Sequence, residues 1–256
     1  MDGFQFNVVD VPLVPGLWKA LVGDVIHNTR CSLDHLAFAL AESFAGQLSN
    51  AQEKAVSFPV CVTESQLDTW RGRSGALFAS EVLELMRALQ PFNAGDPELW
   101  GSDRDPFALW SGSHLAMLAD LDNVDKHRFV GPLYYTIDTA SPATFPDFGP
   151  GVSVNPMLFE GPLLPGAIAG WWRFDGDTPD HVPAELDLTT CFPLQLRIAD
   201  RVQSVHPLLA FEPPPLTILL RSFIALCQRI VDAFAPALDG GVPVDVATFV
   251  RFEPLA

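Results

Sequence analysis

Lysine is nearly missing from this 256-residue sequence: Lys19, Lys54 and Lys126 are the only three, and the rest of the 15 basic residues are arginine. Set against 31 acidic residues, they leave a net charge of −16. A chain of that sign repels polyanions at long range, which excludes a broad basic surface for nucleic acid or anionic lipid. What remains is local contact through placed arginine forks. Paired cysteine motifs are missing as well. Cys31, Cys61, Cys191 and Cys227 are scattered with no C-x-x-C pair, so neither a zinc ribbon nor a disulfide framework is expected, and reduced thiols in a cytoplasmic protein are. Long hydrophobic runs are also lacking. Stretches such as Pro162 to Trp172 are short and broken by Pro and Gly, and the first residues carry no basic segment, so neither a membrane span nor a secretory leader is expected. With 48% hydrophobic and 18% charged residues, the composition excludes a disordered chain or a coiled-coil rod.

What is present reads as one domain spanning 1–256 of α+β class. It comprises an N-terminal helical bundle, a small antiparallel sheet, and a long C-terminal helix packing back on the bundle. Residues 15–130 form the mainly helical part, 131–212 the strand- and loop-rich part, and 213–256 the C-terminal helix and tail. An extended segment from Phe4 to Val14 leads, after Pro15-Gly16, into a helical pattern from about Leu17 to Phe44 that Gly46 closes. Phe58-Pro59-Val60 reads as a short strand or extended connector. Thr63 and Glu64 open a brief helix to Trp70, Ser80 to Leu89 forms another that Pro91 stops, and Ser113 caps one from His114 to about Arg128. Asn93 to Pro106 is a loop. Short apolar runs around Tyr134, Val152, Ile168 and Leu194 suit strands between turns. From Leu216 to Phe234 apolar residues recur at i, i+3, i+4 and i+7, the mark of an amphipathic helix starting after Pro213 to Pro215.

The first long helix buries Val22, Val25, Ile26, Leu33, Leu36, Ala37 and Leu40 on one side at about 100° per residue. Its other side gathers Asp24, His27, Asn28, Arg30, Cys31, Asp34 and His35, with no Lys or Glu among them. A solvated helix face normally favours those long side chains, so short ionisable groups of mixed type point to a site. A second cluster lies in Asp120 to Arg128, where Asn123, Asp125, Lys126, His127 and Arg128 combine acid, base and cation. Four of the six histidines, His27, His35, His114 and His127, lie on or beside these two helices, which adjacent positions in a bundle would bring to one cleft. A plainer account is also open. Arg30 can pair with Asp34 at i+4, Asp24 and Asn28 can buttress loops, and Cys31 can serve as a small hydrophobe. Trp70, Trp100, Trp110, Trp171 and Trp172 read as core or groove lining.

These residues spell G-D-x-x-H-N-x-R-x-x-L-D-H-L from Gly23 to Leu36, F-P at Phe58-Pro59, L-Q-P at Leu89 to Pro91, and N-x-D-K-H-R from Asn123 to Arg128. Over roughly residues 20 to 130 the chain resembles a widespread bacterial protein family with this combination of motifs, a likeness that implies no activity. Within it, Arg30-x-x-x-x-His35 resembles the active-site motif of HEPN domains, helical and often dimeric proteins that include metal-independent endoribonucleases of toxin and phage-defence systems. That resemblance implies His35 as base or acid and Arg30 as a phosphate clamp, with His27, Asp34 and His127 as further catalytic candidates. Asn28, Asn123, Asp125, Lys126 and Arg128 would then be substrate-binding residues. It implies no cofactor or metal, RNA at a local site and a homodimer, while the acidic charge and the lack of long apolar runs predict no membrane partner. The chemistry is coherent, because cleaving RNA without metal needs a proton acceptor for the 2′-hydroxyl, a proton donor for the leaving oxygen and a cation on the phosphate. Two other readings stay open. One is a divalent-metal enzyme in which His27, Asp34 or His35 is joined by Asp125 or His127, although the tighter H-x-x-x-H spacing is absent. The other is a non-catalytic binding protein whose polar cluster fixes helix register.

Overall fold

In the computed structural model, residues 3–11, 13–93, 114–123, 133–137, 152–159, 161–176, 194–198 and 215–244 are described. The chain is α+β and divides into two compact units, one built on strands and one on helices. The strand unit takes residues 1–16, 132–199 and 213–217, and the helical unit takes 17–131, 200–212 and 218–256.

In the strand unit, β1 (Gly3–Asn7), β3 (Val152–Leu158) and β4 (Ile168–Gly176) form an antiparallel sheet in the order β1-β4-β3, while β2 (Leu133–Ile137) and β5 (Leu194–Ile198) pair separately. The expected strand positions are all occupied, and they are shared between two ladders. The extended N-terminal segment finds its place here as well, with Phe4 opposite Trp172 and Gln5 opposite Trp171. Alternation along β4 turns Trp172 inward and leaves Trp171 exposed. Trp172 packs with Val8, Ile137, Leu163 and Ala169, and its ring centroid lies 4.2 Å from that of Phe6. The two ladders belong to one core because Ile137 on β2 is part of this cluster and the Leu163 amide donates to the Tyr135 carbonyl at 2.9 Å. Pro156 sits on β3, an edge strand, where a residue without an amide proton costs least. Glycine is required at position 170, since a Cβ there would stand 2.6 Å from the Met157 carbonyl oxygen.

In the helical unit, α1 (Gly16–Ala45) spans 30 residues and ends at Gly46, whose φ of 77° suits a residue without a Cβ. Val22, Ile26, Leu33, Leu36, Ala37 and Leu40 are buried as the periodicity required, whereas Val25, also expected there, is only partly buried. A short helix not expected from the pattern, α2 (Asn50–Ala55), follows. It has no buried residue and is held by the reciprocal cap of Ser49 and Gln52. The same device, Thr63 with Gln66, starts α3 (Glu64–Ser74), which runs past the expected end at Trp70. Next come α4 (Ser80–Ala88) and α5, whose described part is 114–123. The C-terminal helix α6 (Leu216–Leu238) buries Leu219, Phe223, Leu226, Ile230 and Phe234 along one stripe. It packs on the bundle. Phe234 meets Phe58 edge-on at 6.2 Å, Phe223 meets His114 at 5.9 Å, and Cys227 lies beside Arg30 and Ser32 of α1. Among the described residues no helix is long and apolar enough to cross a membrane. The expected loop from Asn93 lies outside the described residues beyond Asn93 itself, as do Trp100 and Trp110.

Candidate functional site

The polar side of α1 faces two different things. Arg30 and Asp34, one turn apart, turn toward the extended segment 57–61, which has no strand partner among the described residues. A strand lacking a neighbour must satisfy its backbone through side chains. Asp34 Oδ1 accepts both the Phe58 amide at 2.9 Å and Arg30 Nη1 at 2.8 Å, while Arg30 Nη2 donates to the Phe58 carbonyl at 2.8 Å. From the other side Gln90 completes the clamp. It is 1% exposed, accepts the Cys61 amide at 2.8 Å, and donates to the carbonyls of Pro59 at 3.1 Å and Met86 at 2.7 Å. Trp70 Nε1 donates to the Ser57 carbonyl at 3.1 Å. The residues of R-x-x-x-D, F-P and L-Q-P are therefore one hydrogen-bonded assembly, and the i, i+4 pairing of Arg30 with Asp34 is part of it.

This segment floors a cleft of about 440 Å³. Arg30, Trp70 and Arg73 line it, together with Asp122 and Asn123 of α5. Burial pushes the Cys61 thiol up, against the opposing pull of the Arg73 guanidinium. Deeper in the helix packing, burial pushes the Cys227 thiol up to about 12, opposed by Arg30 and by a hydrogen bond with Ser32.

His27 stands where α1 meets α5. Its Nδ1 lies 2.9 Å from Asp122 Oδ1, and the side chains are 45% and 3% exposed respectively. An ionised carboxylate only accepts, so Nδ1 is the donor to it, and in a neutral ring the lone pair then lies on Nε2. That is the arrangement in which a carboxylate fixes the tautomer of a general base. Beside the ring lies Cys31, with Sγ 3.5 Å from Nε2 and 4.0 Å from Nδ1.

The remaining candidates are placed as follows. Asp24, Asn28 and His35 are exposed on α1. At about 100° per residue, Arg30 and His35 project roughly 140° apart around the helix, so a single copy does not bring their side chains to one point. Asn123 shares the cleft with Arg30. Asp125, Lys126, His127 and Arg128 lie outside the described residues. The described halves of the two polar clusters do meet, through His27 and Asp122, residues 95 apart in sequence. Sequence reasoning passed over Asp122, Gln90 and the Phe58 backbone as site components. Gln90 and Phe58 lay within quoted motifs, and Asp122 sits immediately before Asn123. Among the described residues no group of three His, Cys, Asp or Glu side chains is arranged to hold a metal ion. No family model, curated protein or solved structure matches the chain.

Proposed function

We propose that the protein is a HEPN-like, metal-independent endoribonuclease of the cytoplasm whose acid–base group is His27. The observation that carries this reading is the hydrogen bond from His27 to the buried carboxylate of Asp122 at the margin of a cleft containing arginine. His27 Nε2 is suited to take the proton of a ribose 2′-hydroxyl, and Asp122 stabilises the imidazolium that results. Arg30 has further N–H groups beyond the two it spends on Asp34 and Phe58, and Arg73 stands on the same cleft, so a phosphate there meets guanidinium donors. Asn123 supplies an amide for a base or sugar. His35, exposed two turns beyond His27, is a second proton-transfer group about 12 Å further along the helix axis.

The test is cleavage of a mixed-sequence RNA with a chelator present. Wild type should cut it, and His27→Ala and Asp122→Asn should each lower the rate by about a hundredfold, the size typical of a lost general base. The reading is overturned by wild-type protein that leaves RNA intact, or by a folded His27→Ala variant of undiminished rate. A second reading, a binding protein with a structural polar network, is favoured by one observation: Arg30, Asp34 and Gln90 all hold the 57–61 backbone in place. Under it, Arg30→Ala lowers stability and no variant changes a cleavage rate.

A further inference from the structure

Cys31 occupies a position on α1 that the RNA reading does not use. On a helical wheel it falls about 40° from His27 and about 60° from Asn28, one turn after the first and one turn before His35. Its thiol is partly exposed and lies against the imidazole that Asp122 orients. The order is therefore sulfur, ring, carboxylate: a potential nucleophile beside a base whose tautomer is fixed by a buried acid.

We propose that Cys31, His27 and Asp122 act as nucleophile, base and orienting acid toward small carboxylic ester or thioester substrates. The two sulfur–nitrogen distances are close to each other, so the resting thiol stands beside the ring and not along the Nε2 lone pair. Proton transfer to Nε2 requires a side-chain rotation of Cys31, and catalytic hydrogen bonds are commonly misaligned before substrate arrives. In the reaction the S–H proton passes to Nε2 as sulfur bonds to the acyl carbon. The bond to the leaving oxygen or sulfur then breaks, and that atom takes the proton from Nε2. Water then gives a proton to the same nitrogen as its oxygen bonds to the acyl carbon; the carbon–sulfur bond breaks, the acid leaves, and the proton on Nε2 returns to sulfur. Asn28, exposed on the neighbouring row of the helix, is the nearest side-chain amide in sequence that could donate to an oxyanion developing beside Cys31 once substrate is bound.

Cys61 and Cys227 are internal controls. Both are buried, and burial raises both thiols. The inference shares His27 and Asp122 with the RNA reading and needs no RNA. In the full chain, iodoacetamide labelling read by peptide mass spectrometry should modify Cys31 about tenfold faster than free glutathione at neutral pH. His27→Ala and His27→Gln should remove that excess. With p-nitrophenyl acetate, wild type should release a rapid burst of nitrophenolate with an acetyl group on Cys31, and Cys31→Ser should lose the burst. Labelling of Cys31 no faster than glutathione, or a rate unchanged in a folded His27 variant, overturns the proposal. Fast labelling with intact RNA would sink the nuclease reading alone, and RNA cleavage with an ordinary thiol would sink this one alone.

Discussion

Two places on one helix, a single turn apart, are made of similar residues and end in opposite states. Arg30 and Asp34 are bonded to each other at 2.8 Å and knitted to the backbone of Phe58 by two hydrogen bonds of 2.8 and 2.9 Å. His27 bonds Asp122 through Nδ1 and has the Cys31 thiol 3.5 Å from Nε2, and nearly half its side chain is exposed. The difference lies in what faces each pair. An unpaired extended segment offers both a donor and an acceptor and absorbs a guanidinium and a carboxylate together. The described part of α5 offers a single buried carboxylate, which bonds one nitrogen of the imidazole and leaves the other toward the Cys31 thiol. Residue type on a helix face does not decide between structural and reactive use; the bonding capacity left over does.

The sharpest way to break this comparison is Asp34→Ala. The change strands the Phe58 amide and deprives Arg30 of its carboxylate in one step, and bonds involving a charged partner contribute about 1.5–3 kcal/mol each. A loss of about 3 kcal/mol in urea denaturation is expected. A loss under about 1 kcal/mol would show that the segment 57–61 does not depend on α1, and the distinction between the two places would fail.

Much of the architecture could be read from the residues because it rests on periodicity and local caps. The stripe from Val22 to Leu40, the closing Gly46 and the apolar face of α6 all repeat at helical spacing, and the four strand positions after residue 132 lie between turn residues. Short α2 escaped because six residues with no buried member carry no period, although the Ser49 and Gln52 cap was there to be seen. Pairing is not local. Nothing near β1 specifies Trp172 as the residue opposite Phe4, and nothing in α1 specifies that Arg30 donates to a carbonyl 28 positions away. The candidate site divides in the same way. The crowding of short ionisable groups on two helices was legible, and so was the Arg30–Asp34 pair at i, i+4. That Asp122 would be the partner of His27, and that Arg30 and His35 diverge around the helix, are matters of tertiary placement and helix geometry that a motif string conceals.

Buried Cys227 extends the comparison to pH. Burial raises the Cys227 thiol from 9.0 to about 12. A group whose folded pKa is raised binds its proton more tightly in the folded chain, so the stability it brings is complete below pH 9 and is lost as pH rises toward 12. The slope approaches about 1.4 kcal/mol per pH unit, or about 2 kcal/mol by pH 10.5. Cys227→Ala should be less stable at neutral pH because of the small cavity, and should lose less than wild type between pH 8 and roughly 10.5 in parallel urea titrations. Parallel slopes for the two proteins would mean that Cys227 titrates as an ordinary thiol and that the packing of α6 against Arg30 and Ser32 is looser than described.

The smallest effect on stability belongs to the residue assigned the most chemistry. Cys31 is partly exposed, and its described contact is the imidazole edge of His27, with no backbone group depending on it. Cys31→Ala removes one sulfur from a site that water already reaches, so the cost should stay within about 0.5 kcal/mol, the range of substitutions away from core and caps. Paired urea denaturation of Cys31→Ala and Asp34→Ala gives the contrast directly. If the cysteine variant is nearly as stable as wild type while the aspartate variant is not, α1 carries a structural turn and a chemically available turn side by side. A loss above about 2 kcal/mol from Cys31→Ala would instead place the thiol in the packing of the bundle, make its closeness to His27 a matter of space filling, and merge the two turns into one structural face.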